Sequence, residues 1–302
     1  MYNSGGGGGA SDLGPNMTDV TFAPRTVRAL LYPGLTTSHH QQRTETGEGM
    51  TARHMLGLRD VSGVLNDLWH RAGGVWQHAF TAQPHPPQWL VFASGALALA
   101  VVASAWTWPR ARTVVTIVHE GGHAIVALFT GQRKVRVRLY RDTAGETVST
   151  GTGNGIGVAL TAAAGYPAPS LVGLGAAVLL TIGHLTGMLL LGLVLLIALA
   201  IAVRNVYGML AVLVTAATVA GVCLYASPVV QAAFGYTMTW FLLLGGVRPV
   251  AELYRERRRK RNWRTDADQL ARLTHLPGGA WVVIFGVFAV AALAVSARWL
   301  VG

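Results

Sequence analysis

From Trp89 onward the chain is a succession of long apolar runs joined by short polar links. An α-helix needs about twenty apolar residues to cross a bilayer core. The runs predict spans near 89–108, 112–130, 157–183, 185–203, 205–226, 229–247 and 280–300. Trp89 and Trp108 bracket the first as interface anchors. The 157–183 run is long and holds Pro167 and Pro169, which remove helical N–H donors. A short helix followed by a span fits it better than one clean crossing.

One polar segment, from Gly131 to Gly155, has another period. Lys134-Val135-Arg136-Val137-Arg138-Leu139-Tyr140 alternates charged and apolar residues, the pattern of a strand with two different faces. A turn around Thr143 to Gly145 and a return over Thr147 to Thr152 complete a hairpin. The predicted fold is an all-α polytopic membrane protein of about seven transmembrane helices with a short cytoplasmic β-hairpin.

Residues 1–86 differ from the rest. Gly5 to Gly9 form a glycine run, and Ser, Thr, Pro and Gly stay frequent to about Gly49. This composition predicts a flexible tail. Residues 55–80 carry apolar positions at helical spacing, as a helix lying at the membrane interface would. The domain boundary is therefore placed at 86/87, with a multi-spanning membrane domain over 87–302. The N-terminus lacks the basic and apolar regions of a signal peptide, so the first span is expected to direct insertion.

Composition supports the same picture. Of the 302 residues, 52% are hydrophobic and 12% charged, against about 25% charged in soluble domains. The formal net charge is +11. Without a nucleic-acid-binding motif, that charge fits basic loops facing anionic headgroups and gives no reason to expect a nucleic-acid partner. Arg133, Lys134, Arg136, Arg138 and Arg141 lie on one loop, and Arg248, Arg255 and the run from Arg257 to Arg264 on another. With seven crossings both loops fall on the side of Arg204, opposite Arg110, Arg112 and Arg298. The positive-inside rule then puts the N-terminus and the basic loops in the cytoplasm. A composition rich in Ala, Gly, Val and Arg suggests a bacterial inner membrane. The single cysteine, Cys223, excludes a disulfide framework or a thiolate zinc cluster within one chain.

The second apolar run contains His119-Glu120-Gly121-Gly122-His123. In a helix the two histidines lie on one face, where two neutral imidazoles can hold one zinc ion. Glu120 on the adjoining turn can take a proton from water and pass it to a leaving amine. Glu120 is the only carboxylate among residues 69 to 141, and a carboxylate within a span is costly and marks function. A catalytic zinc site needs a third protein ligand and an open fourth position. The candidates are His184, Asp142, Glu146, Glu252, Glu256, Asp266, Asp268 and His275. Glu252 and Glu256 sit in a basic helix-like run, where pairing with its arginines is expected. Depth disfavours His184, since His123 lies about 10 Å from the cytoplasmic end of its helix. Asp266 and Asp268 precede the last span on the cytoplasmic side, and a partly re-entrant segment would bring one of them to the metal.

The motif within a span resembles the site-2 protease family of intramembrane zinc metalloproteases, most closely its small bacterial and plant branch. In that branch the motif helix is followed by a short basic strand and a Gly-Tyr segment, matched by Ala164-Gly165-Tyr166. A Ser-Asp-Ala element near the C-terminus is matched by Thr265-Asp266-Ala267. The resemblance covers roughly residues 112–290. It implies one zinc ion per chain held by His119, His123 and Asp266, with Asp268 the rival for the third place. It implies Glu120 as the catalytic base and acid, and a membrane-protein or peptide as substrate. The family's Asn-Pro-x-Pro-x-x-Asp-Gly element is absent, and Asn205 is the candidate to steady a tetrahedral intermediate in its place, or else only a helix-end residue. No PDZ domain is found, so the basic hairpin is a candidate for holding an unwound substrate by strand addition. The alternative from another class is a non-proteolytic zinc-binding membrane protein, a metal sensor, transporter or structural protein. Glu120 speaks against it, because a closed structural site has no use for a base beside the metal.

Overall fold

Apolar sequence in an apolar medium folds as helix because each backbone polar group must then find its partner within the segment. The computed structural model describes residues 61–150, 155–259 and 265–302. Val61–Gly302 form one compact unit; most of the tail expected over 1–86 lies outside the described residues. Residues 61–79 are helical (α1), within the stretch that the sequence predicts as an interfacial helix. There follow α2 (Gln88–Ala103), α3 (Trp108–Phe129), β1 (Arg133–Leu139), β2 (Gly145–Thr150), α4 (Gly155–Ala164), α5 (Ala168–Thr181), α6 (Leu185–Ala202), α7 (Val206–Tyr225), α8 (Pro228–Arg259), α9 (Asp266–Leu273) and α10 (Gly278–Val301).

Four of these, α6, α7, α8 and α10, are each long and apolar enough to cross a membrane, and six spans result if two bent pairs count as one span each. The count of seven is not confirmed. Hydropathy predicts two crossings over 89–108 and 112–130, but α2 and α3 pass only as a pair, bent by 103°. The cause is physical. At 16 residues α2 reaches about 24 Å, short of a hydrocarbon core of about 30 Å, and α3 carries Arg110, Arg112, Glu120 and two histidines. The break expected at Pro167 and Pro169 is present: α4 and α5 meet at 66°.

The long helix α8 forms the axis. It packs against α2, α5 and α10 and buries Gly235, Thr239, Leu243, Gly245 and Gly246. The hairpin lies on α3 beside this bundle. Its strands pair antiparallel, with Arg136 opposite Val148 and Leu139 opposite Gly145. Alternation sorts the strand residues as expected. Val137 and Leu139 join a core with Ile117, Leu199, Val203 and Val212, while Lys134, Arg136 and Arg138 are exposed. The outer edge of β1 is occupied: Val137 forms a parallel bridge with Val203, and the Arg204 N–H donates to Val137 O at 2.9 Å. On β2, Gly145, Thr147 and Ser149 are half-buried and Glu146, Val148 and Thr150 exposed.

Asn205, just before α7, anchors the hairpin. Its side-chain oxygen accepts from Leu139 N–H at 3.2 Å and its amide donates to Leu139 O at 2.6 Å. Asn205→Ala would leave both buried groups of Leu139 without these partners, a cost of about 1–3 kcal/mol. Hydrogen exchange at the Leu139 amide should accelerate in that variant; unchanged protection there would contradict the anchoring.

Candidate metal centre

Helical periodicity in α3 places His119 and His123 one turn apart on one face, with their rings edge to face at 4.8 Å. Their Nε2 atoms are 3.1 Å apart. The short helix α9 brings a third donor. Asp266 Oδ2 stands 3.1 Å from His119 Nε2 and 3.2 Å from His123 Nε2. The three donors thus form a nearly equilateral triangle. Zinc bound tetrahedrally at 2.0–2.1 Å has ligand atoms roughly 3.3 Å apart, so the donor set, two imidazoles and a carboxylate, fits zinc in type and in spacing. A tetrahedral ion on these three ligands keeps one position open.

The orientation of each donor has a local cause. Thr161 lies in the last turn of α4, where carbonyls lack helical partners, and its oxygen accepts a hydrogen bond from His123 Nδ1–H at 2.7 Å. With the proton on Nδ1, the Nε2 lone pair faces the triangle. His119 is held edge-on by the Tyr166 ring at 4.9 Å, which stacks on Phe285. Asp266 is the first residue of α9, whose start is set by a capping box between Thr265 and Asp268. Burial pushes the Asp266 carboxyl up, but its contacts with His119 and His123 outweigh burial and hold it well below the usual carboxylate range. Gly165, in the α4–α5 break, passes directly over the donors: a Cβ there would strike the Nε2 atoms of both histidines.

Glu120 is 3% exposed. The Thr147 hydroxyl of β2 donates to Glu120 Oε2 at 2.5 Å, and Gly145 lies so close that a Cβ would collide with the same carboxylate. Triad and Glu120 line one cavity of ≈ 520 Å³, together with Thr143 to Ser149 of the hairpin, the α4–α5 break, and Gly245 and Gly246 of α8. Arg112 is the only Lys or Arg among its lining residues.

A model of the Peptidase M50B-like family matches residues 92–296, about two thirds of the chain. The chain belongs to this branch of the site-2 protease family. M50 peptidases are zinc metalloproteases, and the site-2 protease family is membrane-embedded. No curated protein and no solved structure matches the chain.

The match is wider than the 112–290 carried by the motifs and takes in α2. Within this M50B-like domain, His119, His123 and Asp266 are the one group of three His, Cys, Asp or Glu residues placed to hold a metal ion among the described residues. Most of the other candidates are engaged elsewhere. Asp268 pairs with Arg257 at 2.5 Å and accepts from Thr265. Burial raises its carboxyl, but these partners outweigh it and hold it below the ordinary range. Glu252 accepts from Trp108 and Arg248 and lies 3.2 Å from Arg112. For Glu252 the pairing expected within the basic run is thus found, with Arg112 added. Asp142 accepts from Ala144 N–H in the hairpin turn, Glu146 from the Tyr140 hydroxyl, and His184 contacts Ile182 O. Glu256 and His275 are not part of the triad. Asn205, the candidate for steadying an intermediate, is bound to Leu139 and is not among the cavity's lining residues. The sequence alone does not single out Thr147, Thr161 or Gln132. For Thr147 a signal exists in the period-two pattern of Gly145, Thr147 and Ser149.

Gly165→Ala would put a methyl group against both ligand nitrogens. Zinc content per chain should fall towards zero while helical circular dichroism is retained. Full zinc occupancy in that variant would contradict the close approach.

Proposed function

We propose that the protein is an intramembrane zinc metalloendopeptidase that hydrolyses a peptide bond in or near a transmembrane segment of another protein. The observation that carries this reading is a three-donor site with a buried carboxylate, Glu120, one residue from a ligand. Two imidazoles and one carboxylate leave a coordination position for water and substrate, as catalytic sites do and closed structural sites do not.

His119, His123 and Asp266 would hold the metal. When bound, zinc supplies a Lewis acid and brings the pKa of its water near 7. Glu120 takes the proton of the attacking water and returns it to the leaving amine. Thr147 restrains Oε2 by its hydrogen bond, and Oε1 packs against Gly145, where only a glycine leaves it room. In a buried site such a bond both orients the carboxylate and offsets its desolvation. Glu120 lies between a metal ligand and a strand, so the peptide must approach along that strand.

Substrate is held as an extended chain on β2. The outer edge of β1 is closed by Val203 and Arg204, while β2 pairs with no strand other than β1 among the described residues. A helical substrate must unwind before its carbonyl can reach the metal, and an open strand edge compensates the backbone bonds lost in unwinding. By the positive-inside rule, the cationic residues of β1 favour the cytoplasmic side of a bacterial inner membrane for the hairpin.

Glu120→Gln should keep zinc and lose cleavage of a single-span membrane substrate; retained turnover would reject Glu120 as the base. Thr147→Val should retain zinc and lower turnover about 10- to 100-fold, the worth of a hydrogen bond to a charged group. Thr147→Ser should restore it. Equal rates for valine and serine would show that the hydroxyl has no part in the reaction.

A further inference from the structure

Gln132 lies in the turn between α3 and β1 and is 7% exposed. A buried carboxamide is costly unless its hydrogen bonds are made, and this one is fully engaged. Its Nε2 donates to Thr161 Oγ1 at 2.6 Å, to Thr130 Oγ1 at 3.1 Å and towards Gly157 O at 3.3 Å. Its Oε1 accepts from the Ser149 hydroxyl of β2. Its own backbone is pinned by N–H donation to Ala127 O at 2.9 Å. One side chain therefore joins the end of α3, the hairpin and α4.

The residue it grips on α4 is the one that orients a metal ligand. Thr161 Oγ1 accepts from Gln132 while its hydroxyl donates to Gly157 O at 2.9 Å, and its backbone oxygen accepts from His123 Nδ1. α4 is only ten residues long and is bent from α5 at a break. A helix so short has little intrinsic stability. Its position relative to α3 must come from packing and polar contacts, and beside the His123–Thr161 bond the polar ones come from Gln132.

We propose that Gln132 is a positioning residue of the metal centre: it fixes Thr161, and through the Thr161 carbonyl it sets the tautomer and direction of the His123 ring. This rests on the reading of His119, His123 and Asp266 as metal ligands. Ser149 extends the same chain of contacts to β2, so the strand that holds Glu120 through Thr147 is also tied to His123.

The test is zinc affinity, read by competition with a chelator on purified full-length protein in detergent, together with thermal stability of the metal-free protein. Gln132→Met keeps the shape and removes the hydrogen bonds. Thr161→Val removes the acceptor and leaves the backbone carbonyl. Each should weaken zinc binding about ten-fold, the usual effect of losing an outer partner of a metal-ligating histidine. Because both break one link, the double variant should bind no more weakly than the weaker single one. Thr239→Ala, which removes a buried hydroxyl bond to Gly235 O in α8, should lower stability and leave affinity unchanged. Affinities within about two-fold of wild type for folded Gln132→Met and Thr161→Val, or losses that multiply in the double variant, would overturn the proposal. Should Gln132→Met fail to fold, Thr161→Val decides alone. A wild type that binds no zinc, like His123→Ala, would instead reject the metal-centre reading itself.

Discussion

Two imidazoles and two carboxylates, two of them buried and two half-buried within an apolar helical bundle, must be given polar partners there, and the helices that surround them have almost none to give. No Asp or Glu occurs between Glu146 and Glu252. The irregular parts of the fold supply what the spans cannot. The short helix α9 delivers Asp266, the hairpin delivers Thr147, and the last turn of α4 delivers a free carbonyl to His123. A polar group left without its hydrogen bond in a buried site costs several kcal/mol, so these segments are held where the polar groups of α3 require them.

The same requirement explains the broken helices. A continuous α4–α5 helix could not both present the Thr161 carbonyl to His123 and pass Gly165 over the donor triangle. The 66° bend makes both possible, and its glycine is needed because any side chain would occupy the space above the ligands. Helix ends in a membrane protein are tolerated where they line a polar cavity, and this break contributes Tyr166 to the cavity lining. The corner between α2 and α3 serves a neighbouring end: Trp108 and Arg112 meet Glu252, which fixes the start of α3 against α8.

Much of the site is legible in the sequence. A four-residue spacing on a helix is enough to bring His119 and His123 together, and strict alternation from Lys134 to Tyr140 is enough to give a strand with one buried face. Between Asp266 and Asp268 only a motif match decides, although Thr265-x-x-Asp268 is itself a capping pattern that engages Asp268 at the helix start. The span count is not legible, because the apolar run continues through the corner at residues 104–107 and hydropathy does not register a bend. The roles of Asn205 and Gln132 are not legible either. They depend on partners 17 to 66 residues away, and no local pattern reports such contacts.

The claim on which the rest depends is that His119, His123 and Asp266 form one three-ligand zinc site. It is tested by zinc per chain in detergent-purified wild type, His123→Ala, Asp266→Ala and Asp268→Ala. The account predicts about one zinc in the wild type, loss with His123→Ala and Asp266→Ala, and retention with Asp268→Ala, whose carboxylate caps α9 and pairs with Arg257. Zinc retained by Asp266→Ala, or none bound by the wild type after metal is supplied, would contradict the account.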